Sequence, residues 1–171
     1  MEIFKTIFSN TELMKILGIT FLIGLSLHVL KFTIQIKQAR KINRTIHSLA
    51  NNSLELTPKE YLELRNKKLY GEKARHANTQ NFSGVYILHN ISKDLIYVGQ
   101  SIKVLDRIGN HFKGNGNGDV YADYKYGDEF KIRTISLDLS PYDNLNDLER
   151  HAIKVFGAYE KGYNKNRGNK R

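Results

Sequence analysis

Two tyrosines, an arginine and histidine four residues apart, and a glutamate beside an apolar stripe are the side chains of this 171-residue chain that bear on chemistry. Arg107 and His111 lie one helical turn apart, so on a helix both reach one spot. The Arg107 guanidinium is a planar fork of donors that fits phosphate oxygens. Glu149 is a hard oxygen donor of the kind Mg2+ and Mn2+ accept together with phosphate and water. Each residue also has a plain structural role: half-buried packing for Tyr86 and Tyr97 on strands, an exposed helix face for Arg107 and His111, and a solvated helix position for Glu149. There is no cysteine, which excludes disulfide scaffolds, thiol nucleophiles, iron–sulfur clusters and Cys-rich zinc fingers.

The elements that must position these groups follow from patterning. Phe82 to Asn90 alternates like a strand, and Leu95 to Val98 reads as its partner after the polar turn Ile91-Ser92-Lys93-Asp94, giving an antiparallel hairpin. A helix from Lys103 to Lys113 buries Leu105, Ile108 and Phe112. Phe130 to Leu139 alternates as a third strand. Asn144 to Phe156 is a second helix, burying Leu145, Leu148, Ala152 and Val155 with Glu149 beside that stripe. His151 lies about 200° around this helix from Glu149 and is read as a surface residue. The Gly114–Gly118 loop lacks the Lys-Ser/Thr of a P-loop and is read as a flexible connection. Upstream, Thr57-Pro58-Lys59-Glu60 marks a capped helix start, and a helix running to Arg75 would carry Tyr61, Leu64 and Lys68 on one side.

Gly84-Val85-Tyr86, a gap of ten residues and Tyr97-Val98-Gly99 resemble the signature of the GIY-YIG endonucleases, with Val replacing Ile in both triplets. Arg107, His111, Glu149 and Asn164 follow in the order in which that family keeps its site residues. The resemblance covers residues 82–168 and implies an α/β fold, a small three-stranded antiparallel sheet flanked by helices. It also implies metal-assisted hydrolysis of phosphodiester bonds, with Tyr86, Tyr97, Arg107, His111, Glu149 and Asn164 as site residues, Gly84 and Gly99 as motif glycines and Glu149 as metal ligand. Tyr86 would take or relay the proton of the attacking water, with Tyr97 and His111 close enough to lower its pKa or share its proton. The choice of base stays open, since a phenol is a poor base at neutral pH unless nearby positive charge depresses it. Asn164 would brace the site. With no DNA-reading module after residue 164, phosphate contacts from Arg107, Lys113, Lys165 and Arg167 would give salt-dependent affinity without sequence information.

The formal net charge of +10 predicts acidic company, nucleic acid or anionic lipid. More than half of it sits in residues 37–81, where ten Lys and Arg face four Asp and Glu, against a net +3 in residues 82–171. The run Leu13 to Ile36 has only Lys15 and Lys31 charged among 24 residues, enough to cross a bilayer, with both lysines near its ends. A cleaved signal peptide or a buried soluble helix are the alternatives; no small-x-small cleavage site follows promptly, and the run is apolar on all sides. Lys37, Arg40, Lys41 and Arg44 then put the N-terminus outside and the rest in the cytoplasm, and place basic groups at an anionic leaflet. Ile42, Ile46 and Leu49 at helical spacing suit a helix leaving or lying on the membrane.

Three segments result: residues 1–37 with the membrane helix (13–36), a basic helical connector at 38–81, and a nuclease-like domain at 82–171. The expectation is a single-pass, membrane-tethered endonuclease using Mg2+ or Mn2+, with DNA and membrane lipid as partners and incoming foreign or phage DNA as target. The rivals are an outward-facing nuclease for DNA uptake or scavenging and a catalytically inactive nucleic-acid-binding membrane protein.

Overall fold

The computed structural model describes residues 2–66, 71 and 80–169, with side chains from residue 10 onward. The first helix, α1, runs from Glu2 to Asn51. The chain divides into two compact units, Met1–Lys41 and Ile42–Arg171. In the first unit, α1 is apolar over its span and its described large apolar side chains, Leu13 to Ile34, are exposed. Hydroxyls in that run turn back on the helix: Ser26 donates to the Ile23 carbonyl (2.8 Å) and Thr33 to those of Val29 and Leu30 (both 2.8 Å). Polar groups in an apolar setting are thereby satisfied by their own helix.

In the second unit α2 (Pro58–Arg65) starts as expected. Thr57 Oγ1 accepts from the Glu60 N–H (3.2 Å) and Glu60 Oε2 from the Thr57 N–H (2.8 Å), a reciprocal cap. Its Tyr61 and Leu64 are buried, and the helix stops at Arg65 with Asn66 as its C-cap; most of the expected stretch on to about Arg75 lies outside the described residues. Lys68 lies outside the described residues.

The sheet has three antiparallel strands, β1 (Gly84–Asn90), β2 (Leu95–Ser101) and β3 (Phe130–Ser136), in the order β2-β1-β3. Between the strands of this sheet lie α3 (Val104–His111) and α4 (Gly118–Lys125), and after it α5 (Leu145–Val155). Strand parity divides the core into two layers. Tyr86 and Leu88 of β1 join Leu56, Tyr61, Leu64, Leu105, Ile108, Phe112 and Ile132 on one face. Val85 and Ile87 join Val98, Ile135, Leu148, Ala152 and Ile153 on the other.

Ile46 and Ala50 belong to this second cluster, with Ile42 and Leu49 packed against it. The apolar spacing that suits a helix leaving or lying on the membrane therefore packs on the sheet, which leaves no apolar face there to lie on lipid. Leu56 also extends the sheet, exchanging main-chain hydrogen bonds with Ile132 (3.0 and 2.7 Å), and Arg133 binds Glu55 and the Ala50 carbonyl.

One helix was not expected and one further expectation changes. Helix α4 follows the Gly/Asn-rich connection: Asn117 at the end of that run caps it, its Oδ1 accepting from the Asp119 and Val120 N–H groups (both 3.0 Å). The Gly114–Gly118 stretch is thus fixed at its C-terminal end by a helix cap. His151 is half-buried, since the segment before α5 folds back and Tyr142 Oη meets His151 Nδ1 at 3.0 Å.

Candidate active site

The hairpin register puts Tyr86 of β1 opposite Gly99 of β2. A Cβ at Gly99 would collide with the Tyr86 hydroxyl, so that position must be glycine for the phenol to lie across the neighbouring strand. Gly84 is required for another reason: a Cβ there would strike the Ile135 carbonyl on β3. Both glycines are thus steric conditions for the sheet and for the placing of Tyr86.

Three rings gather where β1, β2 and α3 meet. Tyr86 Oη lies 3.0 Å from His111 Nε2, and the ring centroids are 4.9 Å apart for Tyr97–His111, 5.4 Å for Tyr86–His111 and 6.1 Å for Tyr86–Tyr97. Tyr86 and His111 are fully enclosed, whereas Tyr97 is half-buried. His111 Nδ1 accepts the main-chain N–H of Asn117 (2.9 Å), so both ring nitrogens are engaged. Arg107, a turn earlier on α3, is exposed at the mouth of this cluster and acts by its charge on all three rings.

Electrostatics here run against one expectation. Burial pushes the Tyr86 phenol well above its ordinary range, the Tyr97 contact adds to the rise, and only Arg107 pulls it down. Tyr97 therefore does not lower Tyr86. Tyr97 is raised chiefly by burial and by the charge of Glu149, while its hydrogen bond with Tyr86 and the charge of Arg107 lower it. Burial and Arg107 bring His111 down to about 4, so it is neutral at pH 7.

Glu149 stands on the helix packed against the other face of the sheet and acts on Tyr97 by its charge. It is buried on α5, and its Oε2 accepts from Gln100 Nε2 (3.1 Å) and from the Asn169 N–H (3.4 Å). Gln100, which the sequence marks only by its place after the second triplet, also donates to Asn146 Oδ1 (2.7 Å), which ties β2 to α5. Among the described residues Glu149 has no cationic partner, and burial raises its pKa. A buried carboxylate with neutral donors on one oxygen and no counter-charge fits a divalent cation, which would offset its desolvation. No cluster of three or more His, Cys, Asp or Glu exists among the described residues, so such a cation would hold most of its shell as water and substrate oxygens.

Asn164 does not approach the rings. Its Oδ1 accepts from the Val98 N–H (2.9 Å) and its Nδ2 donates to the Val98 carbonyl (2.7 Å), closing the free edge of β2 as a further strand would. Of the expected phosphate contacts, Lys113 is exposed, Lys165 pairs with Asp119 (2.6 Å) and Arg167 lies 3.8 Å from Glu160 and over the Tyr159 ring.

With this geometry in place, comparison with known proteins is specific on one point. Residues 82–164 match the family model of the GIY-YIG catalytic domain. The matched span contains both triplets and every site residue from Tyr86 to Asn164, and the observed sheet is the one that resemblance implied. The chain thus carries a GIY-YIG catalytic domain, which makes it an endonuclease, a phosphodiester hydrolase. GIY-YIG nucleases are in general dependent on a divalent metal. Searches of curated proteins and of solved structures returned no match.

Proposed function

We propose that this chain is a membrane-tethered endonuclease that cuts DNA with little sequence preference, using Tyr86, Tyr97, Arg107, His111 and Glu149, with Asn164 as brace. The observation that carries the reading is the joining of the Tyr86–Tyr97–His111 cluster, capped by exposed Arg107, to a buried carboxylate without a counter-charge. Glu149 would hold Mg2+ or Mn2+, which when bound supplies positive charge to the developing phosphorane and its leaving oxygen. Arg107 lies where its guanidinium binds and orients the scissile phosphate. Burial raises both phenols, but Tyr97 is the one open to water and the one that Tyr86 and Arg107 both lower, so Tyr97 is the group that takes the proton of the attacking water. His111, neutral at that pH, supports Tyr86 and does not serve as an acid.

Tethering rests on the apolar run of α1, which is long and apolar enough to cross a membrane, and on exposed Lys37, Arg40, Lys41 and Arg44 after it. The basic flank favours a cytoplasmic catalytic domain with an anionic leaflet beside it, which confines cutting to DNA close to the membrane. Incoming foreign DNA, including phage DNA, is the substrate that such confinement serves.

Cleavage of plasmid and linear DNA by the full chain, with and without Mg2+, tests the core of this reading. Glu149→Ala and Arg107→Ala should each lose at least about 10²-fold in rate, the scale of one electrostatic stabiliser. Equal cutting by both variants would refute the site. Equal survival of phage-challenged cells carrying wild-type protein or Glu149→Ala would remove the defence role.

A further inference from the structure

The Gly116-Asn117 step, outside every triplet and every site position, touches the ring cluster directly. Asn117 N–H points at His111 Nδ1 (2.9 Å), and a Cβ at Gly116 would lie 2.6 Å from that same nitrogen. A main-chain N–H only donates, so Nδ1 must be an acceptor, and a neutral imidazole then carries its proton on Nε2. Nε2 lies 3.0 Å from Tyr86 Oη, which makes His111 the donor and Tyr86 the acceptor in that bond. Since the imidazole is the donor there, the Tyr86 hydroxyl proton is not directed at His111 and is left for Tyr97.

We infer that Gly116 and Asn117 are positioning residues that fix the direction of a relay, Asn117 N–H to His111 Nδ1, His111 Nε2–H to Tyr86 Oη, Tyr86 O–H to Tyr97 Oη. Every bond in the series donates toward Tyr97, and the amide at its head cannot reverse. The Tyr97 oxygen is therefore the end point of three aligned dipoles, which favours the anionic phenol at the position open to water. In the opposite tautomer Nδ1–H would face the Asn117 N–H, Tyr86 would donate to Nε2, and Tyr97 would lose its donor. The charged and titratable groups around His111 agree with this polarity: Arg107 from its own helix, Tyr86 from β1, Tyr97 from β2, and Glu149 of α5 acting on Tyr97. Gly116 is glycine because only the missing side chain lets the loop amide approach the ring.

Selective 15N-histidine labelling of the full chain, with His111 identified by its absence in His111→Asn, reads the tautomer at pH 7. The expected result is a protonated Nε2 and an unprotonated Nδ1 in the wild type; a protonated Nδ1 overturns the proposal. Gly116→Ala should disturb that pattern, lower kcat at least about tenfold with KM little changed, and shift the basic rise of the pH–kcat profile upward. Gly118→Ala, whose Cβ would meet nothing within 4 Å, should cut like wild type. Gly116→Ala with wild-type kcat and pH profile would also overturn the proposal. The rate measurements rest on the nuclease reading, whereas the tautomer does not, so failure of that reading and failure of the relay give different results. The tautomer in the unsubstituted chain decides the question even where Gly116→Ala does not fold.

Discussion

At the residue scale, the histidine and the carboxylate of the site pull stability in opposite directions as pH changes. His111 is held below its ordinary value of 6.5, at about 4, so the unfolded chain binds more protons between those values. Its contribution is complete above pH 6.5 and is lost as pH falls toward 4. The urea midpoint of wild type should therefore drop over that window more steeply than that of His111→Gln. Glu149, raised by burial, does the reverse: its contribution is greatest below 4.5 and falls as pH rises through its folded value. Glu149→Gln, a neutral isostere that still receives Gln100, should thus unfold at the same temperature as wild type or higher in metal-free buffer at pH 7 while cutting no DNA. A marked fall in Tm would show that Glu149 is held by a cation within the fold. Gly99→Ala should cost about 10²-fold in rate, because displacing the Tyr86 ring by an ångström misplaces the whole cluster. Retention of full activity would break the link between that glycine and the phenol.

At the scale of elements, what was legible in the sequence is what is carried by side-chain pattern. The β1–β2 hairpin shows as alternation around a polar turn, α2 as a capping box, and Glu149 as a charge beside an i, i+3, i+4 stripe, and all three stand in the structure. What escaped depends on the main chain or on distant packing. Helix α4 buries only Val120, so it has no stripe to read, and its cap hides in a run of Gly and Asn. The helical angle turns His151 away from Glu149, but no local signal announces that Tyr142 folds over it. The last turns of α1 are the clearest case. Their Ile42, Ile46 and Leu49 spacing fits a lipid surface and a sheet face equally, and only the tertiary fold decides for the sheet. Ile46→Ala should accordingly destabilise the catalytic unit by about 2–5 kcal/mol in chemical denaturation followed by far-UV circular dichroism. Leu22→Ala, in the exposed part of α1, should leave that transition unmoved.

For the whole molecule, charge and chemistry separate along the chain. Residues 82–171, which contain the catalytic domain, have a net charge of +3, while the basic excess follows the apolar run. A reporter fused after residue 171 should be active only as a cytoplasmic fusion; activity of an exported-type reporter there would turn the topology over. A second polar knot holds the end of β1. Buried Asn90 donates to Asp128 Oδ2 and Tyr163 Oη (both 2.7 Å), Tyr163 donates to Asp123 (2.6 Å), and Lys93 pairs with Asp123 (2.6 Å). Tyr163 sits next to Asn164, so this knot fixes the segment that closes the β2 edge.

That placing has a meaning for synthesis. Tyr163, Asn164 and Asn169 leave the ribosome after the tyrosines, His111, Arg107 and Glu149 have all been made. A nascent chain that ends before Tyr163 has the reactive side chains but an open β2 edge and a hairpin end without its tether. The contacts that close β2 and tie down the hairpin end therefore form last, once the final residues have been made.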